Sequence, residues 1–152
     1  MTISELGSIG ELLAAIATIA TLIYLALQIR ANTIVTKAES QRGAAALRME
    51  ALKIPASSLE ISETFTTGLV TPNELSPGQR TQFYFQFSTI VYVAESSYFD
   101  YELGLIDLET FESSSSLAFK LLPTPGGKDY WKHYSDSHIP TFREYLKREG
   151  KI

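Results

Sequence analysis

Glu95 is the side chain of this sequence best placed for acid–base chemistry, because its neighbours at helical spacing are apolar or aromatic. Val91, Ala94 and Tyr98 lie around it. A buried carboxyl needs a proton or a cation beside it, which is how catalytic carboxylates are made. Together with Tyr98 and Tyr101 it forms a candidate ligand pocket. The plainer interpretation, which we favour, is that Glu95 hydrogen-bonds a tyrosine hydroxyl or reaches the acidic surface.

A second candidate is the pattern His133, Asp136 and His138, with Asp129 nearby. Imidazole and carboxylate groups can hold zinc or iron. These are the chain's two histidines, however, and strong metal motifs place their ligands at fixed helical spacing, whereas this run crosses a predicted loop ahead of Pro140. We therefore keep the three residues as weak metal candidates and predict no metal and no cofactor.

Aromatic residues cluster next to this pattern, at Tyr130, Trp131 and Tyr134. Such side chains can stack on a ligand or meet lipid headgroups, although they more often close a small helical core.

Signatures of other chemistries are missing. The sequence has no cysteine, so disulfides, thiolate metal sites and thiol nucleophiles are excluded. The run "TPGGK" at residues 124–128 lacks the spacing of a phosphate-binding loop and a preceding strand. No Ser-His-acid arrangement carries a family signature. The sequence predicts a protein that is not an enzyme.

Charge is unevenly distributed along a chain whose net charge is -4. Residues 30–54 carry five basic and two acidic side chains, and residues 128–152 carry six basic and four acidic ones. Residues 55–127 between them carry nine acids and two bases. Broad nucleic-acid binding needs a continuous basic face, so nucleic acid is not expected as a partner.

The elements that would position these residues begin with an apolar stretch near the N-terminus. Residues 12–29 contain no charged side chain, and nine of these 18 residues are Leu or Ile. Counted from Ile9, the stretch reaches the ~20 residues that span a bilayer. A secretory signal would begin with basic residues, but the first eleven residues contain none. A soluble core helix is the remaining alternative, and we favour a membrane anchor over it.

Basic residues near the span all follow it, beginning with Arg30. By the positive-inside rule the N-terminus lies outside and the C-terminal part in the cytoplasm.

One face of the span carries small and polar side chains, which let another helix approach closely. Its members are Gly10, Ala14, Ala17, Thr21, Tyr24 and Gln28. Their alternating spacing of four and three is that of a coiled-coil seam. The seam continues beyond the span through Ala31, Val35, Ala38, Arg42, Ala45, Met49 and Leu52. Packing between chains and packing on the chain's own later helices both remain open, and Thr18, Thr21 and Gln28 could alternatively line a pore.

The later sequence predicts further helices and no hairpin-forming strands, so the fold class is all-α. Ser76, Pro77 and Gln79 form a capping-box pattern that opens a long helix ending at Gly104. Asp107 caps the next helix, "PTPGG" breaks it, and short helices follow around Tyr130 and over residues 140–148. The predicted layout is a tail (1–8), a transmembrane helix (9–29), a helical extension (30–54) stopped by Pro55, and a cytoplasmic helical bundle (55–152).

Four segments carry a resemblance to an uncharacterised family of small bacterial membrane proteins. They are "IYLALQIRANT" (23–33), "LSPGQRTQF" (75–83), "ESSYFDYELGLID" (95–107) and "GGKDYWKHY…PTFREYL" (126–146). The resemblance implies a single-span anchor of the bacterial inner membrane followed by a cytoplasmic helical domain, and it brings no known activity or catalytic residue.

These observations predict a membrane-anchored, non-enzymatic interaction or structural protein. Its partners would be the lipid bilayer and a second copy or another membrane helix. The alternatives are a membrane sensor that binds a metal or small ligand in the helical domain, and a small homo-oligomeric channel.

Overall fold

The structure is a computed structural model that describes residues 3–53 and 56–152, without the side chains of residues 4–6 and 51. The predicted all-α fold class is confirmed, since the described residues form helices and no strand. The helices are α1 (Ile3–Lys53), α2 (Leu59–Val70), α3 (Pro77–Glu102), α4 (Leu108–Leu121), α5 (Pro125–Tyr134) and α6 (Pro140–Arg148). Short 3-10 turns occupy Pro72–Glu74 and Ser135–Ser137.

Helix α1 begins earlier than expected. Residues 3–8, which we predicted as part of a tail, are helical. Extending a formed helix gains one hydrogen bond per residue, and in this segment only Gly7 opposes it, by about 1 kcal/mol. The last described residue of α1 is Lys53. The predicted stop at Pro55 lies outside the described residues.

The chain divides into two compact units, one up to Ala38 and one from Glu39 onwards. The second unit therefore includes the last turns of α1, which we had assigned to a separate extension. Ser40 Oγ donates to Asp100 Oδ2 of α3 at 2.5 Å, and Arg48 Nη1 donates to the carbonyl of Ser113 in α4 at 3.1 Å. Ala44, one turn from each, is buried. The i, i+4 spacing of these residues places them on one helix face.

Helix α3 is the central element of the second unit. Its buried side chains include Phe83, Phe87, Val91 and Tyr98. The predicted capping box at its start is confirmed: the backbone N–H of Gln79 donates to Ser76 Oγ at 3.4 Å, and that of Ser76 donates to Gln79 Oε1 at 3.0 Å. Gly104, just after the helix, has φ +67°, a conformation that favours glycine.

Helix α5 starts at Pro125, earlier than the short helix expected around Tyr130. Thr124 Oγ1 accepts the backbone N–H of Gly127 at 3.1 Å, and Pro125 occupies the first helical position. These are ordinary helix-start signals. "PTPGG" therefore ends α4 and begins α5. A Cβ on Gly126 would lie 2.0 Å from the carbonyl oxygen of Gly68, so glycine permits a close approach of α5 to α2.

Candidate functional site

Glu95 and His138 form a polar pair between α3 and the start of α6, in which the histidine is buried and the carboxylate is partly buried. His138 is 2% exposed, and its Nδ1 lies 3.1 Å from Glu95 Oε2. The other carboxylate oxygen, Oε1, accepts the backbone N–H of Ile139 at 2.5 Å. An ionised carboxylate can only accept hydrogen bonds, so this geometry assigns the Nδ1 proton to His138. Glu95 thus bonds an imidazole and a backbone N–H rather than the tyrosine hydroxyl of the interpretation we favoured, and its side chain is 12% exposed.

Tyr130 extends this pair into a chain of three groups. Its hydroxyl lies 3.0 Å from His138 Nε2. In the tautomer that carries its proton on Nδ1, Nε2 is an acceptor and the Tyr130 hydroxyl is the donor. The ring of Trp131 stacks on that of His138 at 5.3 Å and 10°. The imidazole is therefore held by two hydrogen bonds and one stacked ring.

Burial raises the pKa of the Tyr130 hydroxyl above its ordinary value, and the proximity of Tyr92 and Glu95 raises it further. The reason is that a phenolate loses its hydration on burial and is repelled by a nearby carboxylate. Tyr130 consequently presents a neutral hydroxyl at physiological pH. The three-residue chain orients this phenol, and it contains no serine or cysteine that the histidine could activate as a nucleophile.

A cavity of about 300 Å³ opens beside Tyr130. We call it the tyrosine cavity, and its lining residues are Thr81, Tyr84, Phe85, Ser88, Tyr92, Tyr130, Tyr134 and Ser137. Helix α3 supplies five of them and α5 supplies two. The lining residues offer aromatic rings and hydroxyl groups, and none of them is charged. Its volume is at the lower end of the range for ligand sites.

Tyr84 anchors one wall of the tyrosine cavity. Its hydroxyl donates to Asp129 Oδ2 at 2.6 Å. Burial, followed by this hydrogen bond, raises the pKa of Tyr84 to about 12. The Tyr134 ring meets the Tyr84 ring edge-on at 5.1 Å and stacks on the Tyr130 ring at 5.3 Å. The rings of this wall hold one another in place.

The candidate pocket of Glu95, Tyr98 and Tyr101 is not assembled as expected. Tyr98 packs in the core against Phe142 and Tyr145, and Tyr101 stacks on Phe111. Neither tyrosine lines the tyrosine cavity. Glu95 and Tyr98 are three residues apart on α3, but their side chains have different neighbours. Glu95 bonds the residues that precede α6, whereas Tyr98 packs in the apolar core.

The weak metal candidates are also dispersed. His133 Nδ1 contacts the carbonyl of Asp129 at 2.8 Å, Asp136 Oδ1 accepts from Arg143 Nη1 at 2.6 Å, and His138 is held by Glu95 and Tyr130. Within residues 3–53 and 56–152 no group of three or more histidine and carboxylate side chains is placed to hold a metal ion.

Six lining residues of the tyrosine cavity were not assigned to a site by sequence reasoning: Thr81, Tyr84, Phe85, Ser88, Tyr92 and Ser137. Tyr84, Ser88 and Tyr92 are spaced by four, as are Tyr130 and Tyr134 on α5. This spacing was the available signal, since it places each set on one helix face. It was obscured because α3 is aromatic around much of its circumference.

The N-terminal helix is a separate candidate, for contact with a membrane or another helix. It is long and apolar enough to cross a membrane, with an 18-residue window of mean hydropathy 2.2, none of it buried within the chain. All members of the small-residue face, Gly10, Ala14, Ala17, Thr21, Tyr24 and Gln28, are exposed. The hydroxyls of Thr18 and Thr21 donate to the carbonyls of Ala14 and Ala17, both at 2.8 Å. These hydroxyls are satisfied within the helix.

The seam beyond the span is exposed at every residue except Ala38, which is half-buried. Arg42 and Ala45 are exposed, as are Met49 (60%) and Leu52 (43%). The side chains that reach α3 and α4 are those of Ser40 and Arg48.

Compared with protein-family models, with curated proteins and with solved structures, this chain matches none of them.

Proposed function

We propose that this chain is a single-span protein of the bacterial inner membrane that self-associates through α1 and presents its helical domain to the cytoplasm. Its role is that of a non-enzymatic interaction or structural protein. The proposal keeps the family resemblance described above, and it has three separable parts: the span, its orientation and the association.

The span is supported by the composition and exposure of α1. A soluble core helix would bury its apolar window in its own domain, yet none of that window is buried here. Leu and Ile contribute about -0.3 to -0.6 kcal/mol each to insertion. The nine of them in residues 12–29 outweigh the cost of Thr18, Thr21 and Gln28.

The orientation is supported by the basic residues that follow the span. They begin at Arg30 and include Lys37. Each such charge near an anionic inner leaflet is worth about 1 kcal/mol. Because the chain has no native cysteine, introduced cysteines can report this topology directly. Gly7→Cys should react with an impermeant maleimide in intact cells, and Glu63→Cys only after lysis. The reverse pattern would contradict the orientation.

Self-association is supported above all by one observation: the seam beyond the span is exposed at every residue except Ala38, which is half-buried. Ser40, Ala44 and Arg48 meet the bundle, whereas Met49 and Leu52 are exposed although both are large and apolar. Leu52 lies one turn beyond Arg48 on the same stripe, past the hydrogen bond that Arg48 makes with the bundle. Exposed apolar side chains in a row at heptad spacing favour a second helix. The small residues of the span permit close helix approach in lipid.

Cross-linking of the full chain in detergent tests this association. The wild-type chain should give defined oligomers through lysine-reactive cross-linkers. The bulky changes Ala14→Leu and Ala17→Leu should abolish them. Ala15→Leu is the matched control, because it makes the same change on the opposite side of the helix. Wild-type protein that cross-links only as monomers, or equal effects of all three changes, would refute self-association through this face.

A further inference from the structure

We propose that the tyrosine cavity is a binding site for a small organic cation of the quaternary ammonium class. This inference concerns the second compact unit alone. It goes beyond the proposed anchoring and self-association and does not depend on them.

Aromatic walls are the first argument. Five of the eight lining residues are aromatic: Tyr84, Phe85 and Tyr92 from α3, and Tyr130 and Tyr134 from α5. The face of an aromatic ring carries negative electrostatic potential, and several rings around one small space form the kind of cage that holds quaternary ammonium groups. The cavity of about 300 Å³ suits a small ligand.

The charges around the cavity are the second argument. No lysine or arginine lines it, so an anionic ligand would have no cation to pair with. Two carboxylates stand directly behind its tyrosines. Asp129 accepts the Tyr84 hydroxyl at 2.6 Å, and Glu95 is connected to Tyr130 through His138. Arg80, one turn before Tyr84, is bound to the carbonyl of Pro72 at 3.1 Å. Positive charges lie farther out, since Arg80 lowers the pKa of Tyr84 and Lys128 and Lys132 flank Asp129 outside the cavity. The lining itself holds no charge that would repel a cation.

Exposure at the rim is the third argument. Phe85 is 72% exposed, and Tyr92 and Tyr134 are also exposed, although each is large enough to be a core residue. Tyr130, by contrast, is buried and fixed by His138. The cavity thus has a rigid floor and an aromatic rim open to solvent. Such preorganisation lowers the entropic cost of binding.

Calorimetric titration of the full chain with choline tests the inference. The protein is kept in a maltoside detergent, because phosphocholine detergents would compete. The matched probe is 3,3-dimethyl-1-butanol, which has the shape of choline without its charge. We expect saturable binding of choline and binding of the neutral probe that is weaker by about tenfold or more. Equal affinity for both probes, or no binding of choline, would overturn the assignment to a cation.

Variants locate the binding. Phe85→Ala and Tyr92→Ala should each weaken choline binding by about tenfold, since each removes one ring of the rim. Phe99→Ala is the matched control, because Phe99 is an exposed aromatic residue of the same helix that lies outside the cavity. Circular dichroism checks that each variant folds. Choline binding that survives both rim changes, or that Phe99→Ala weakens equally, would show that the cation binds elsewhere.

Discussion

His138 Nδ1 lies 3.1 Å from Glu95 Oε2, a contact between residues 43 positions apart that fastens the start of α6 to the middle of α3. The residue that precedes α6 is Ile139, whose side chain cannot cap a helix. Glu95 satisfies a different donor of this helix start, because its Oε1 accepts the N–H of Ile139 itself at 2.5 Å. A carboxylate at a helix N-terminus also complements the helix dipole. One side chain of α3 therefore orients the imidazole and satisfies the backbone N–H of the residue that precedes α6.

Glu95→Gln should destabilise the folded chain by about 1–3 kcal/mol, because an amide cannot accept from His138 and Ile139 with both of its terminal atoms. Urea unfolding measures the change in the free energy of unfolding. The fluorescence of Trp131, the chain's single tryptophan, reports it, because this ring stacks on His138. Glu63→Gln, an exposed change on α2, is the control and should leave the free energy of unfolding within about 0.5 kcal/mol. Equal midpoints for the two variants would contradict this role of Glu95.

Tyr84 should make the fold sensitive to alkali. Its pKa is about 12 in the folded chain, whereas that of an ordinary tyrosine is 10.0. Between these values the unfolded chain releases a proton that the folded chain retains, so stability falls as pH rises. The stabilisation is complete below pH 10 and is lost as pH approaches 12. Tyr84→Phe removes this proton. The slope of unfolding free energy against pH should therefore become less negative in this window, by the contribution of up to about one proton. An unchanged slope would show that Tyr84 does not titrate in this way.

Gly126→Ala should be among the most damaging small changes in the bundle. A Cβ at this position would lie 2.0 Å from the Gly68 carbonyl oxygen, which belongs to the backbone and cannot rotate away. Overpacking of this kind costs about 1–3 kcal/mol or more. Gly43→Ala is the matched control, because a Cβ there meets nothing within 4 Å. It should stabilise α1 by up to about 1 kcal/mol. Thermal unfolding that shifts both variants equally would contradict the close approach.

The helices were predictable where their signals are local. The capping box of Ser76 and Gln79, the stop at Gly104 and the start at Pro140 each depend on a few neighbouring residues. The site was predictable only in part. Glu95 stood out by its apolar surroundings. Its partner, His138, lies in the loop before α6, and no local sequence pattern encodes how that loop packs on α3. The aromatic richness of α3 likewise concealed which of its tyrosines face the core and which face the cavity.

The start of α5 illustrates a different difficulty. Two glycines after a proline usually indicate a turn. Here Gly126 and Gly127 lie in the first helical turn. Glycine is required at both positions, because a Cβ on Gly126 would meet the backbone of α2 and a Cβ on Gly127 would meet that of residues 121 and 122. The glycines thus reflect close backbone packing, which is long-range for Gly126 and local for Gly127. A single sequence cannot distinguish this from a loop.

Ser115→Ala should stabilise the protein by about 1 kcal/mol. This sign is unusual, because most substitutions of fully buried residues destabilise. The Ser115 side chain is completely buried on α4, and its Oγ has no hydrogen-bond partner in the part of the chain that the structure describes. Removing an unsatisfied buried hydroxyl recovers its desolvation cost. Ser116→Ala is the control for helix propensity, because the Ser116 hydroxyl donates to the Ser113 carbonyl at 2.9 Å near the surface. If Ser115→Ala stabilises no more than Ser116→Ala in urea unfolding, then the Ser115 hydroxyl is satisfied in solution and its burial carries no cost.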